Sequence, residues 1–264
     1  MFGWLRARRK AAPIPDELWL PVVERHSFLS VRPAHEQARL RELAAEFIAR
    51  KEFTGAHGFE ITDAVAVAVA AQAVVPVLHL GLGWYDDFIG IVIHPAEAVA
   101  CREHVDEAGV VHHYDEVLAG EAMEGGPVML SWQAVDEAAE SAEQGYNVVM
   151  HEFIHKIDMR DGAPDGCPPL PAGFMGHTGA AHARAAWLET VHAEYDRFRE
   201  KVVIAERFGG EWPWLDDYGA VAVEEFFAVA GEAFFVNRAR FASEFPALMP
   251  LFEAFFEPDS KVGP

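Results

Sequence analysis

Cysteine is scarce in this sequence, because its 264 residues contain only Cys101 and Cys167. Two cysteines are too few for the disulfide framework of a small secreted protein or for a zinc site built from cysteine. This usage is typical of a reducing compartment, so we expect a cytoplasmic protein.

Basic residues are also few, with 21 Lys and Arg against 42 Asp and Glu and a formal net charge of −21. A protein of this charge repels the phosphate backbone, so we expect no direct binding to nucleic acid. The first ten residues, MFGWLRARRK, concentrate positive charge, and no apolar segment follows that would form a secretory signal. We therefore predict a basic, mobile N-terminal arm over residues 1–12.

Long hydrophobic runs are absent as well. The longest one, AVAVAVAAQAVVPVL from Ala64 to Leu78, is shorter than the roughly 20 residues that cross a bilayer, and it contains Gln72 and Pro76. We expect no membrane contact and interpret this run as a buried helix that ends near the proline.

The remaining pattern predicts an α+β fold that is mainly helical and has a small β-sheet. Apolar residues recur at helical spacing between Pro33 and Phe53, and β-branched runs predict strands at residues 88–94 and 127–132. The second strand is a candidate edge for an extended peptide. A Gly- and Pro-rich loop is expected at residues 161–179. No linker divides the chain, so we predict one domain over 13–264, with two lobes, about 13–135 and 136–264, as the alternative.

The segment NVVMHEFIHKID, residues 147–158, contains His151 and His155 four positions apart, with Glu152 directly after the first. On a helix these residues and Asp158 share one side, and the apolar residues occupy the other. Two imidazoles one turn apart can bind a single Zn²⁺, while Glu152 can act as general base toward the attacking water. Asp158 can accept a hydrogen bond from the outer nitrogen of a ligand histidine. A chance match is disfavoured because the histidines lie on the polar face, so we predict one zinc ion per chain.

A catalytic zinc site of this kind needs a third protein ligand. The longer zinc motif HExxHxxGxxH is absent, because Asp158 stands in place of its Gly and Asp161 in place of its third His. A later glutamate is expected instead. Residues 218–235 offer Glu224, Glu225 and Glu232, of which the last two share a helix face about 10 Å apart. One of them can bind the metal and the other can support a histidine. Helix geometry leaves open which of the three is the ligand.

Three segments together resemble the Mlc titration factor A family of zinc peptidases: AQAVVPVLHLGLGWYDDFIGIVIHP, VVMHEFIHKIDMRDG and DDYGAVAVEEFFAVAGEAFF. The resemblance extends from about residue 18 to residue 256. It implies a zincin-like fold similar to the catalytic domain of anthrax lethal factor, with an HExxH active-site helix. The sequence departs from the expected pattern in the stretch AVAV and in the extra carboxylate of Glu224.

By this resemblance, His151 and His155 are zinc ligands, Glu225 is the third ligand as in gluzincins, and Glu152 is the general base. Tyr218 is placed to stabilise the oxyanion, as a phenol donor can. The implied activity is aminopeptidase-like hydrolysis of small peptides.

The family name records a second property, which is the binding and sequestration of a glucose-responsive transcriptional repressor called Mlc. The sequence therefore leaves two hypotheses. One is a zinc metallopeptidase that acts on a peptide substrate, and the alternative is a regulatory protein that binds a Mlc-like repressor, with or without peptidase activity. A structural zinc is disfavoured, since such sites usually use Cys and His at all four positions.

Overall fold

Helices make up most of the chain in the computed structural model, which describes residues 11–105 and 111–258 and, for residues 98–105 and 111–118, the backbone alone. The predicted N-terminal arm lies outside the described residues except for its last two. The elements up to the last strand are α1 (Asp16–Arg25), α2 (Ser27–Ser30), α3 (Ala34–Arg50), β1 (Glu52–Gly55), α4 (Asp63–Ala73), β2 (Gly90–His94), β3 (Ala98–Val105), β4 (Val111–Leu118), β5 (Gly120–Ala122) and β6 (Val128–Ser131). The remainder is helical, with α5 (Trp132–Glu137), α6 (Val148–Asp158), α7 (Ala180–Phe208), α8 (Val223–Val236), α9 (Arg238–Glu244) and α10 (Met249–Phe256).

A four-stranded mixed sheet has the order β1-β2-β6-β5. β1, β2 and β6 are parallel, whereas β5 runs antiparallel to β6, with Gly120 opposite Leu130. β3 and β4 form a separate antiparallel pair. The predicted mainly helical α+β fold with a small sheet is therefore confirmed.

The edge of this sheet differs from the sequence prediction. We expected the strand at residues 127–132 to offer a free edge, but β6 is paired on both sides, and β5 is the edge strand next to it. β5 contains only Gly, Glu and Ala, so its composition gives no strand signal. The helix predicted up to Phe53 ends at Arg50, because Glu52 and Phe53 pair with β2 in β1.

Side-chain caps fix where two central helices begin. The Thr62 hydroxyl accepts a hydrogen bond from the amide of Val65 at the start of α4, and the Asn147 side chain accepts one from the amide of Met150 at the start of α6. These caps satisfy amides that have no partner within the helix. The apolar run becomes the buried α4, as predicted, and ends three residues before Pro76. None of the helices in the described part of the chain is long and apolar enough to span a bilayer.

The hydrophobic core surrounds α6 and α8. On the inner side of α6, the Phe153 ring contacts Phe47, Tyr85 and Phe88, with centroid distances of 5.0 to 5.9 Å. A second group of aromatic residues joins α8, α9 and α10. Buried core residues range from Ile14 to Phe256, so both halves of the chain contribute to one core. This shared core favours one domain over two lobes, and the domain boundaries stay a prediction.

Helices α6 and α8 pack closely where Gly231 faces Ile154. A Cβ atom at position 231 would lie 2.6 Å from Cδ1 of Ile154, and 3.4 and 3.5 Å from its Cγ2 and Cγ1. The first distance is well inside van der Waals contact, while the other two are ordinary contacts. Any side chain larger than hydrogen at position 231 would therefore have to displace the terminal methyl group of Ile154.

We predict that Gly231→Ala lowers the free energy of unfolding. Alanine gains about 1 kcal/mol of helix propensity, but overpacking against Ile154 costs roughly 1–3 kcal/mol. Urea unfolding followed by circular dichroism measures the difference. The control is Ile154→Val, which removes Cδ1. In that background Gly231→Ala should be neutral or stabilising, and strictly additive effects of the two changes would contradict the packing argument.

Candidate metal centre

Helices α6 and α8 bring three ligand atoms together in a small triangle. Nε2 of His151 lies 3.2 Å from Nε2 of His155, and Oε2 of Glu225 lies 3.2 and 3.0 Å from these two nitrogens. All three side chains are largely buried, with Glu225 the most exposed. In the described part of the chain, this is the group of His, Cys, Asp and Glu side chains that can hold a metal ion.

The triangle fits a tetrahedral metal ion. Ligands at about 2.0–2.1 Å from a tetrahedral zinc lie roughly 3.3 Å from one another, close to the observed separations. Two imidazole nitrogens that face each other at 3.2 Å form a poor contact if both are neutral acceptors, whereas a shared cation makes both favourable. Two His and one Glu are also a ligand set that zinc accepts.

The charges around His151 likewise favour a cation at this point. Burial disfavours the charged imidazole, but hydrogen bonds to Glu225 and Glu232 outweigh it and raise the pKa of His151 well above its usual range. Burial acts to raise the pKa of Glu225 as well, but its contacts with His151 and His155 hold that pKa well below its usual range. The carboxylates thus stabilise positive charge between the two helices.

Glu232 lies on the other side of His151, two helical turns after Glu225. It is fully buried, its Oε1 is 3.3 Å from Nδ1 of His151, and its Oε2 accepts a hydrogen bond of 2.6 Å from the Asn147 amide. Burial raises the pKa of Glu232 to about 7. The Asn147 side chain donates to the buried Gln72 of α4 at 2.7 Å. A chain of hydrogen bonds therefore runs from α4 to the imidazole of His151 and orients its ring.

Glu152 points at the edge strand. A Cβ atom at Gly120 of β5 would lie 2.5 Å from Oε1 of Glu152 and 2.7 Å from its Cγ, so only glycine allows this approach. Burial raises the pKa of Glu152 above its usual value. A carboxylate whose pKa is shifted toward neutrality can both accept and return a proton.

Asp158 is buried at the end of α6 and contacts the long loop. Its Oδ2 accepts hydrogen bonds from the amides of Asp165 and Gly166, at 3.1 and 2.8 Å. Oδ1 of Asp158 and Nδ1 of His155 are both buried without a hydrogen-bond partner among the described residues, so the predicted hydrogen bond between them is not formed. Burial raises the pKa of Asp158 to about 6.

A cavity of about 340 Å³ opens over the triangle. Tyr218 and Glu224 both line it. The Tyr218 ring is partly exposed, at 38%, and its centroid lies 6.1 Å from that of His151. Glu224 is half-buried and lies outside the triangle of ligand atoms. The structure thus brings Glu225 to the histidines and leaves its neighbour at the cavity wall.

The cavity also contains residues that sequence reasoning missed. Gly120 and Glu121 of β5 line it beside Glu152. A three-residue strand without β-branched residues gives no signal in the sequence. Once the strand is known, Gly120 can be recognised as the position where it comes close to the helix that carries Glu152. In the sequence Gln72 is only a polar interruption of an apolar run, and the hydrogen bond that it accepts from Asn147 explains why it is there.

Comparison with known proteins agrees with this geometry. Residues 2–257 match the family described as glucose-regulated metallo-peptidase M90. The chain is 32% identical over 254 residues to Mlc titration factor A of Edwardsiella ictaluri, covering 96% of this chain and 90% of that protein. It is 33% identical over 227 residues to Mlc titration factor A of Salmonella gallinarum, covering 86% and 80%. The resemblance found in the sequence is confirmed.

We predict that Glu225→Gln weakens zinc binding by at least about 100-fold, because it removes the anionic oxygen of the triangle, and that Glu232→Gln weakens it by about 10- to 100-fold. Competition with a chromogenic zinc chelator measures both affinities.

Glu224→Gln is the matched control, since it removes a neighbouring carboxylate of the same helix. It should leave the zinc affinity within about twofold of wild type, because its carboxylate lies outside the triangle of ligand atoms and a charge that does not touch the ion contributes little. If Glu224→Gln weakened binding more than Glu225→Gln, position 224 would be the ligand.

Proposed function

Because the chain belongs to the glucose-regulated metallo-peptidase M90 family, we propose that it is a zinc-dependent peptidase of the gluzincin type with aminopeptidase-like activity. The observation that carries this proposal is the triangle of His151, His155 and Glu225 with Glu152 directly beside it. A purely structural metal site has no use for a buried carboxylate that touches the cavity but not the metal.

In this proposal His151, His155 and Glu225 hold one Zn²⁺ per chain. When bound, zinc supplies Lewis acidity toward the peptide carbonyl and the attacking water. Glu232 keeps Nδ1 of His151 protonated and facing away, so that its Nε2 presents a lone pair to the ion. Asp158, one turn after His155 in α6, connects the end of this helix to the loop through the amides of Asp165 and Gly166.

Glu152 acts as the general base in this scheme. Its carboxylate accepts the proton of the attacking water and returns it to the leaving amine, a role that its raised pKa supports. Contact with Gly120 limits where the carboxylate can go. The Tyr218 hydroxyl donates a hydrogen bond to the developing oxyanion, and its position on the cavity wall near His151 supports this role.

The charge of the cavity supports a substrate with a free amino group. Among the described residues that line the cavity, none is Lys or Arg, and six are carboxylates: Glu121, Glu152, Asp216, Glu224, Glu225 and Glu232. An α-ammonium group is attracted to such a surface, whereas a C-terminal carboxylate is repelled. An extended peptide can add to β5 by backbone pairing, with its N-terminus among the carboxylates.

We predict that the purified protein with one equivalent of zinc hydrolyses aminoacyl or short peptide 4-nitroanilides. Glu152→Gln should lower kcat by about 10²–10⁴-fold because the base is lost. Tyr218→Phe should lower kcat by about 10- to 10³-fold with little change in KM, because the oxyanion donor acts in the transition state. Steady-state kinetics over a substrate panel measures both.

Two controls accompany this assay. Chelation should abolish hydrolysis and added zinc should restore it. N-acetylated versions of the best substrates should be poor substrates if the amino group is recognised. Activity that survives both chelation and Glu152→Gln would rule out the proposed mechanism.

A second function is favoured by the names of the relatives, which are called Mlc titration factor A. We propose that the protein also binds a Mlc-like transcriptional repressor, in the cytoplasm where such repressors act. A formal charge of −21 supports attraction to a basic DNA-binding protein. This function needs no bond cleavage and does not exclude the first.

We predict that an immobilised Mlc-like repressor retains the wild type and the Glu152→Gln variant with equal affinity, because binding does not use the base. Surface plasmon resonance at two salt concentrations measures the affinity and its electrostatic part. An unrelated protein of similar net charge is the control for nonspecific attraction. Equal retention of that protein would reject specific repressor binding.

A further inference from the structure

Lys156 directly follows His155, and its side chain is completely buried. Lysine is almost never fully buried unless its charge is paired. Here the ammonium donates hydrogen bonds to the carbonyl oxygens of Met123 and of Gly126, the latter at 2.9 Å. It also lies 4.7 Å from the centroid of the Phe88 ring. The charge is therefore held by backbone carbonyls of a turn and by an aromatic ring.

The carbonyls belong to the hairpin formed by β5, its turn and β6, residues 119–131, which we call the edge hairpin. The same helix touches this hairpin a second time, because Glu152, four residues before Lys156, contacts Gly120. One side of α6 thus meets the hairpin at two places: the beginning of the edge strand and the turn that follows it.

The edge hairpin needs such support. β5 has three residues and one neighbouring strand, so the sheet alone holds it weakly. Short strands with few ladder bonds open locally at low free-energy cost. The ammonium of Lys156 offers donors to two carbonyls on either side of the turn, and so fixes the hairpin to the helix that carries the histidines.

We propose that Lys156 is a positioning residue. Its buried ammonium anchors the turn of the edge hairpin to α6, and this contact holds β5 where it faces Glu152 and can pair with an extended peptide substrate. The role in catalysis rests on the proposed peptidase function, whereas the anchoring itself does not. Lys156 touches neither the substrate nor the reacting atoms. It acts through the position of β5.

Lys51 provides a matched control within the same molecule. Its ammonium also donates to two carbonyls, those of Tyr85 at 2.5 Å and Phe88 at 2.7 Å, and it lies 3.5 Å from the centroid of the same Phe88 ring. Both lysines thus use the same kinds of contact. The carbonyls that Lys51 binds precede β2 and are not part of the edge hairpin.

The test compares zinc-loaded Lys156→Met with Lys51→Met, since both changes remove an ammonium and keep an apolar side chain. We expect Lys156→Met to retain one zinc per chain and to exchange the amide hydrogens of residues 119–131 at least about tenfold faster than wild type. KM for peptide substrates should rise about tenfold with a smaller change in kcat. Lys51→Met should leave hairpin exchange and KM within about twofold of wild type.

Gly126→Ala tests the same anchor from the hairpin side and serves if Lys156→Met does not fold. A Cβ atom at position 126 would lie 2.8 Å from Cβ of Met123, so the turn has to change shape while Lys156 stays intact. We expect the same faster hairpin exchange and the same rise in KM.

Hairpin exchange and KM that stay at wild-type values in Lys156→Met or Gly126→Ala would overturn the proposal, as would equal changes in Lys51→Met. If wild type hydrolysed no peptide while Lys156→Met still loosened the hairpin selectively, the peptidase function would fail and the anchor would stand.

Discussion

The close packing of α6 against α8 is the contact on which the site depends. His151 and Glu225 are 74 residues apart in sequence, yet their ligand atoms are 3.2 Å apart because the two helices touch at Gly231. Residues 225 and 232, two turns apart on α8, reach opposite nitrogens of one imidazole. A change in the separation of the helices would therefore alter both the metal triangle and the hydrogen bond between Glu232 and His151.

Several carboxylates around the site are buried: Glu152, Asp158 and Glu232. Burial raises the pKa values of Glu152, Asp158 and Glu232, and a buried carboxylate is costly unless something compensates its charge. Backbone amides compensate part of it, since Asn147 donates to Glu232 and Gly166 donates to Asp158. The imidazoles compensate more of it, and a cation held by the triangle would add to this, so we expect metal binding and the stability of the folded chain to be linked.

Much of this arrangement was predictable from the sequence. Two features carried the prediction. One was the apolar pattern, with helical spacing in α3 and a continuous apolar run in α4, and the other was the spacing of His151, Glu152 and His155, which is a local property of α6. The choice among Glu224, Glu225 and Glu232 was not predictable from helix geometry, because it depends on how α8 is rotated and tilted against α6. The edge strand was missed for a different reason, since Gly120–Ala122 pairs only because β6 lies beside it.

The contact between Gly120 and Glu152 bears on the conformational entropy of the proposed base. A free glutamate side chain samples many rotamers, and restricting it costs roughly 1.5–2 kcal/mol of conformational entropy. In the folded chain Glu152 is buried and the strand backbone at Gly120 lies beside it, so its side chain has less freedom than in the unfolded chain. The loss of freedom thus occurs when the protein folds, and an arriving substrate meets a carboxylate that no longer has to be ordered.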